Sequence, residues 1–283
     1  MATFVLSGFA DEIDPMMDVQ IEQMKRFGIG YIEMRGVDGK NIADCSMDEI
    51  RAVAEKCRTN NIQISALGSP LGKIGIQDDM EAHMARMEDL MEKAKVLGTD
   101  RIRVFSFYIP QGEAPEKYRD EVLHRMQRMA KVAAKQQITL LHENEKGIYG
   151  DTPERCLDIF ESVGSGNLWA TFDPANFVQC GCQPYPHGYE LLKNYIRYVH
   201  IKDAKADGTV VPAGQGIGGV PELLKQLKED GYQGFLSLEP HLGDFVGFAA
   251  LEEDAETQEK PKSGADTFEI AVNALRSILK GVE

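Results

Sequence analysis

The sequence predicts an α/β protein folded as a single (β/α)8 barrel of the TIM type, and three observations predict it. Short β-rich apolar runs alternate with longer amphipathic stretches, the pattern of βα units around a parallel sheet. Eight runs of each kind fit within 283 residues, and a barrel of this kind takes roughly 250. Acidic or imidazole side chains recur at the ends of four consecutive runs, at Glu143, Asp173, His200 and Glu239, in steps of 30, 27 and 39 residues. Each step is close to the length of one strand, one helix and two loops.

Taken in order, strands are expected at Phe4–Gly8, Tyr31–Met34, Gln63–Leu67, Ile102–Phe107, Ile138–Glu143, Trp169–Asp173, Tyr198–Lys202 and Phe235–Glu239. The helical patterns that follow them are Met16–Phe27, Met47–Thr59, Glu81–Leu97, Pro115–Lys135, Pro153–Ser162, Gly188–Tyr195, Pro221–Glu229 and Phe268–Leu279. Ser46 with Glu49 reads as a capping box, and Thr152 before Pro153 as a cap followed by a first-turn proline. Gly28, Gly98 and Gly231 stand where a helix ends in a left-handed residue. No G-x-G-x-x-G follows the first strand, so dinucleotide binding finds no support. One domain is expected over residues 1–283, with a long loop at 242–266 between strand eight and helix eight. Loops of that length on the active face of a barrel are commonly lids or interface elements.

Composition narrows the class. With 45 acidic against 31 basic residues the formal charge is −14, and no basic patch interrupts it, which excludes a nucleic-acid partner. The start, MATFVLSGFADEID, has no basic n-region, and no apolar run reaches the roughly 18 residues that span a bilayer, so a cytoplasmic protein with no membrane partner is expected. Five scattered cysteines fit reduced thiols rather than a disulfide framework.

A barrel gathers the C-terminal ends of its strands at one mouth, so Glu143, Asp173, His200 and Glu239 can converge. Each alone has a plain structural reading as a helix cap or surface charge. Together, buried carboxylates without a cation are costly, and three oxygens with one nitrogen suit a divalent ion, Mn²⁺ first, with Mg²⁺, Zn²⁺ or Co²⁺ open. Alternation places Glu143 and Glu145 on one face and turns His142 to the other; His200 and Lys202 share parity. Glu33 and Arg35 share parity too, which suits an internal ion pair or substrate hydroxyls. Lys202 either meets a phosphate, neutralises the carboxylates or pairs with Asp203. Asn176 and His241 are placed to contact substrate, and the Gly214-Gln215-Gly216 turn is either a flexible connection or a holder of substrate polar groups.

The stretches IEMRG, SALGSP, RVFSFY, LLHENEKGIYGDT, FDPANF, YVHIKD and FLSLEPH resemble the sugar phosphate isomerase/epimerase group of xylose-isomerase-like TIM barrels, which includes D-tagatose 3-epimerase. The likeness runs from Phe4 to His241. It implies one divalent ion held by Glu143, Asp173, His200 and Glu239, with Glu143 and Glu239 also exchanging the substrate α-proton through an enediolate. It implies a small sugar or sugar phosphate as substrate and leaves a homo-oligomer open. The chain departs from many relatives at Glu145, Asn176 and Gln215, so Glu145 competes with Glu143 as ligand. Other readings are a metal-dependent lyase or dehydratase of a keto-sugar or keto-inositol, an endonuclease IV-like nuclease, and a non-catalytic sugar-binding barrel.

Overall fold

The computed structural model describes residues 2–246 and 262–282. Eight parallel strands form one sheet: β1 (Thr3–Gly8), β2 (Tyr31–Met34), β3 (Gln63–Leu67), β4 (Arg101–Val104), β5 (Thr139–Glu143), β6 (Leu168–Phe172), β7 (Ile196–Ile201) and β8 (Gln233–Leu238). Their hydrogen-bonded order runs β1-β8-β7-β6-β5-β4-β3-β2, and β1 and β2 meet where that order begins and ends, so the sheet rolls into a near-closed barrel. The surrounding helices are α1 (Met17–Arg26), α2 (Met47–Thr59), α3 (Met80–Leu97), α4 (Arg119–Lys135), α5 (Pro153–Val163), α6 (Pro174–Gln179), α7 (Tyr189–Leu192), α8 (Val220–Glu229) and α9 (Ala265–Val282). The predicted fold is therefore the observed one.

Local chemistry sets these boundaries. Ser46 accepts from the Glu49 amide while Glu49 accepts from the Ser46 amide, a reciprocal pair that opens α2. Thr152 accepts from the Arg155 amide ahead of Pro153 to open α5, and Gly98 ends α3 at φ 76°. The apolar stripe of α8 is Val220, Leu223, Leu224 and Leu227, all buried against the barrel wall. Each such side chain contributes roughly 1.5–3 kcal/mol through burial.

Three elements differ from expectation. Pro174–Gln179, which is not among the eight expected helices, is a short helix whose N-cap is Asp173. The sixth predicted helix, Gly188–Tyr195, shrinks to Tyr189–Leu192: Gly188 belongs to a separate wide turn, Pro184–Gly188, with non-helical Tyr185, and Lys193 to Tyr195 form a turn. Two small antiparallel ribbons, Gly36–Val37 with Lys40–Asn41 and Asp203–Ala204 with Val210–Val211, stand above β2 and β7. Of the predicted loop 242–266, residues 247–261 lie outside the described residues; Asp244 and Lys262 are bridged, and α9 begins at Ala265.

Inside the barrel, the lower layer is apolar. Ala66, Leu141 and Tyr198 are buried there with Trp169 and Phe235 around them, and the Tyr198 hydroxyl meets Ser65 Oγ at 2.8 Å. One strand pitch higher, the inward positions turn polar: Glu33, Arg103, Glu143, His200 and Ser237 are all buried. This change from apolar floor to charged mouth positions the site. Among the described residues, no helix is long and apolar enough to cross a membrane.

Candidate metal centre

The four residues at the ends of β5 to β8 meet. Glu143, Asp173, His200 and Glu239 each offer one ligand atom, and these atoms all lie within 4.8 Å of one another. His200 Nδ1 is 2.9 Å from Glu143 Oε1, 3.3 Å from Glu239 Oε2 and 3.7 Å from Asp173 Oδ2. All four side chains are buried. Asp173 divides its carboxylate: Oδ1 accepts the Asn176 amide at 2.9 Å and caps α6, while Oδ2 faces the cluster. Oδ2 is buried and takes no aligned hydrogen bond, although Lys202 Nζ stands 3.0 Å away. A buried, under-satisfied carboxylate oxygen beside two others and an imidazole nitrogen is a donor set that fits a divalent cation.

Electrostatics follow from this crowding. Burial works to lower the His200 pKa, but Glu143, Glu33 and Glu239 outweigh it and hold the imidazole well above its ordinary value. Burial likewise works to raise Glu143, yet His200 and Arg103 bring it down to about 2. Glu239 is also held well below the carboxylate range, against burial, by Lys202, His200 and His241. The protein thus answers its own carboxylates with an imidazolium and the Lys202 ammonium, which is 3.0 Å from Glu239 Oε2 as well.

The other expected residues fall in different places. Glu33 faces His200 Nε2 at 3.2 Å, and Arg35 turns away to Asp11, Glu12 and Glu239, so the expected Glu33–Arg35 ion pair is replaced by two longer-range pairings. Equal parity put both side chains inside, but partners from elsewhere around the barrel mouth take each of them: His200 of β7 for Glu33, and the turn after β1 and the residue after β8 for Arg35. Asn176 Nδ2 donates to Glu143 Oε1 at 3.2 Å. Glu145 pairs with Lys73 at 3.1 Å and leaves the cluster to Glu143. His142 points outward onto Phe160 of α5, as alternation required. His241, in a left-handed conformation at φ 46°, donates its amide to Glu12 Oε2 at 2.8 Å and sets Nε2 3.5 Å from Glu239 Oε1.

Gln215 is exposed on the loop after β7, and the cluster's ion pairs do not include it. That loop is pinned: Asp203 accepts the backbone amides of Gly214, Gly216 and Gly218 at 2.9–3.1 Å. A Cβ on Gly216 would come within 2.3 Å of Asp203 Oδ1, so the glycine permits the close approach.

Sequence reading missed Asp11, Glu12 and Arg103. Asp11 and Glu12 sit in a short 3-10 turn after β1 and are buried, where an acidic pair ordinarily reads as solvated. Arg103 carried a usable signal, since alternation in RIRVF turns Arg103 inward one position below Phe105.

A family model described as the xylose isomerase-like TIM barrel matches residues 21–265. The chain belongs to the xylose isomerase-like TIM barrel family. Two curated relatives within reach of this family are an uncharacterized protein, MJ1311, of Methanocaldococcus jannaschii and a Homo sapiens protein provisionally named hydroxypyruvate isomerase. The first is 31% identical over 173 residues, which is 54% of this chain and 55% of that one, so this chain matches about half the length of that relative. The second is 23% identical over 211 residues, 66% of this chain and 73% of that one. Solved structures with the same fold include the IOLI protein, whose structure holds a zinc atom, at TM-score 0.76 and 18% identity over 99% of both chains. Another is D-psicose 3-epimerase with D-tagatose from Clostridium cellulolyticum H10, at TM-score 0.73 and 15% identity, again over 99% of both chains.

Proposed function

We propose that this protein is a divalent-metal-dependent isomerase or epimerase of a ketose or a related small hydroxyketone, working by proton transfer at the carbon beside the carbonyl. The observation that carries the reading is the convergence of four buried ligand atoms from four successive strand ends within 4.8 Å. Glu143, Asp173, His200 and Glu239 would hold the ion, with Mn²⁺ the expected metal for three oxygens and one nitrogen. When bound, it supplies a Lewis acid that polarises the ketone and its neighbouring hydroxyl.

The chain's own residues would do the rest. Glu143 and Glu239 each turn one oxygen toward His200 Nδ1; the other two, Glu143 Oε2 beside Arg103 at 3.1 Å and Glu239 Oε1 hydrogen-bonded by Arg35 at 3.2 Å, would face the substrate. One of these takes the α-proton and the other returns a proton from the opposite side, which inverts or moves the centre. Asn176 steadies Glu143 through its 3.2 Å hydrogen bond, and the edge-on Phe9 ring against His200 keeps water from that face. Gln215, on the pinned loop, would meet the outer end of the substrate.

A dehydratase reading of the same site rests on His241, whose Nε2 beside Glu239 offers a second proton donor for a departing hydroxyl. The two readings share the first step and separate at the product. The test is metal content per chain followed by loss of substrate α-protons in D₂O across a panel of ketoses. About one ion per chain with exchange on at least one ketose is expected; a protein that takes up no divalent ion after incubation with Mn²⁺ sinks the proposal.

A further inference from the structure

We infer that Glu33 is a positioning residue of the metal centre: it holds His200 so that Nδ1 is offered to the ion and the ring proton stays on Nε2. The inference rests on the metal-dependent reading above and assigns a residue which that reading leaves without a role. Glu33 is 1% exposed and lies near the C-terminal end of β2. Its two oxygens stand 3.3 and 3.2 Å from His200 Nε2. The carboxylates of Glu143, Glu239 and Asp173 approach the other nitrogen, Nδ1, at 2.9, 3.3 and 3.7 Å. Glu33 is not one of the four residues whose ligand atoms gather within 4.8 Å. The imidazole therefore divides its nitrogens, one toward the cluster and one toward Glu33.

Two features of the chain commit Glu33 to this contact. The pairing of β2 with β3 shifts register between Ile32 and Glu33, an irregularity of the kind that re-aims a side chain. From there Glu33 reaches across the barrel mouth to β7, which is not a neighbour of β2 in the sheet. Among the described residues its hydrogen bonds and ion pairs go to His200 alone, whereas Arg35, two positions on, is taken up by Asp11, Glu12 and Glu239. A buried carboxylate with a single partner is tied to it, because losing that partner leaves a bare buried charge.

The rings around His200 do not supply the same control. Phe9 and Tyr198 meet it edge-on, at 5.3 and 5.9 Å with interplanar angles of 76° and 85°. They fix the plane of the imidazole but not which way round it sits. A half-turn of the ring puts carbon where each nitrogen stands, so only polar partners distinguish the two orientations, and on the Nε2 side that partner is Glu33. An N–H donated to a carboxylate settles the tautomer, keeps the lone pair on Nδ1 and makes that nitrogen a stronger donor. The consequence is selective. Co²⁺ and Zn²⁺, which bond well to imidazole, gain more from it than Mg²⁺, which prefers oxygen.

The test is titration calorimetry of the full chain with Co²⁺ and with Mg²⁺, no substrate present, in wild type, E33Q and E33L. E33Q keeps an acceptor for the Nε2 proton and loses the charge; E33L loses both. Thermal melts establish that each variant is folded, and the nearly isosteric E33Q carries the test if E33L is not. Co²⁺ affinity is expected to fall about 10-fold in E33Q and up to about 100-fold in E33L, with a smaller factor for Mg²⁺ in each. Nitrogen spectra of the Zn²⁺-loaded wild type, ¹⁵N-labelled at histidine, should show His200 bound through Nδ1 with its proton on Nε2; the signal is assigned by its loss in H200Q. Equal losses for Co²⁺ and Mg²⁺ overturn the inference, because Glu33 then acts only as a negative charge near the ion. So does wild-type Co²⁺ affinity in E33Q, or a His200 proton on Nδ1. Each of these defeats this inference alone, whereas a wild-type protein that binds no divalent ion defeats the metal-dependent reading and this inference with it.

Discussion

Replacing Asp173 by asparagine and by alanine separates two functions that one carboxylate performs. Oδ1 caps α6 through the Asn176 amide at 2.9 Å, and Oδ2 belongs to the cluster. Asparagine keeps a capping oxygen and removes the charge; alanine removes both. Losing the cap costs about 1 kcal/mol, or about 2–4 °C in melting temperature for a chain of this size. Changing a group that merely orients a metal ligand lowers affinity about 10–100-fold, so loss of a ligand should cost no less than about 100-fold. The expected outcome is that both variants lose Mn²⁺ affinity alike in titration calorimetry, while only D173A melts lower than D173N in chelator. Because both lack the charge, the difference between their melting temperatures isolates the cap. Wild-type Mn²⁺ affinity in D173N would refute the ligand assignment, and identical melting of the two variants would refute the division of labour between the oxygens.

Other outcomes follow from the same geometry. E143Q should abolish α-proton exchange and most metal binding, whereas E145Q, which removes only the partner of Lys73, should keep wild-type metal content by elemental analysis; the reverse result would hand the site to Glu145. Mn²⁺ at about 100 times its dissociation constant should stabilise the protein by about 2.7 kcal/mol in thermal unfolding, and no shift would mean the ion binds folded and unfolded chains alike. His83 and His142, both pushed by burial to about 4, should make metal-free stability fall as pH drops from about 6.5 toward 4. In that window the unfolded chain takes up protons that the folded one resists. H142L should flatten part of this slope in chemical denaturation, and a flat wild-type profile would contradict it. Gly72 has φ +86°, and a Cβ there would stand 2.0 Å from the Phe105 carbonyl oxygen, so G72A should lose about 3 kcal/mol or more by denaturant titration, with a near-neutral result showing that the loop can move.

The strands were readable because parallel strands buried on both faces appear as short apolar runs, and β2 and β3 begin and end where expected. The four-residue cluster was readable because a barrel converts even spacing along the chain into convergence in space. Its electrostatic surroundings were not. Arg35 chooses Asp11 and Glu239 over Glu33, partners 24 and 204 residues away, and parity within one strand carries no information about such pairings. The α6 helix hid in six residues, although Asp173 before Pro174 is itself a helix-opening pair; its length is too short for periodicity to register. Glu12 was invisible for a different reason. Its burial depends on the His241 turn folding back over it, a contact between the two ends of the barrel sequence.

The loop after β7 shows how a site can vary without losing its shape. One aspartate, Asp203, takes the amides of three glycines, so the path of residues 214–218 is set by main-chain groups and a single anchor. Between the anchored glycines, Gln215 and Ile217 project outward, Ile217 with 61% of its surface exposed. Side chains at 215 and 217 can therefore be exchanged with little penalty to the fold, while 214, 216 and 218 cannot. The same rim can be re-lettered for a new ligand by drift at two positions, and the barrel beneath would not register the change.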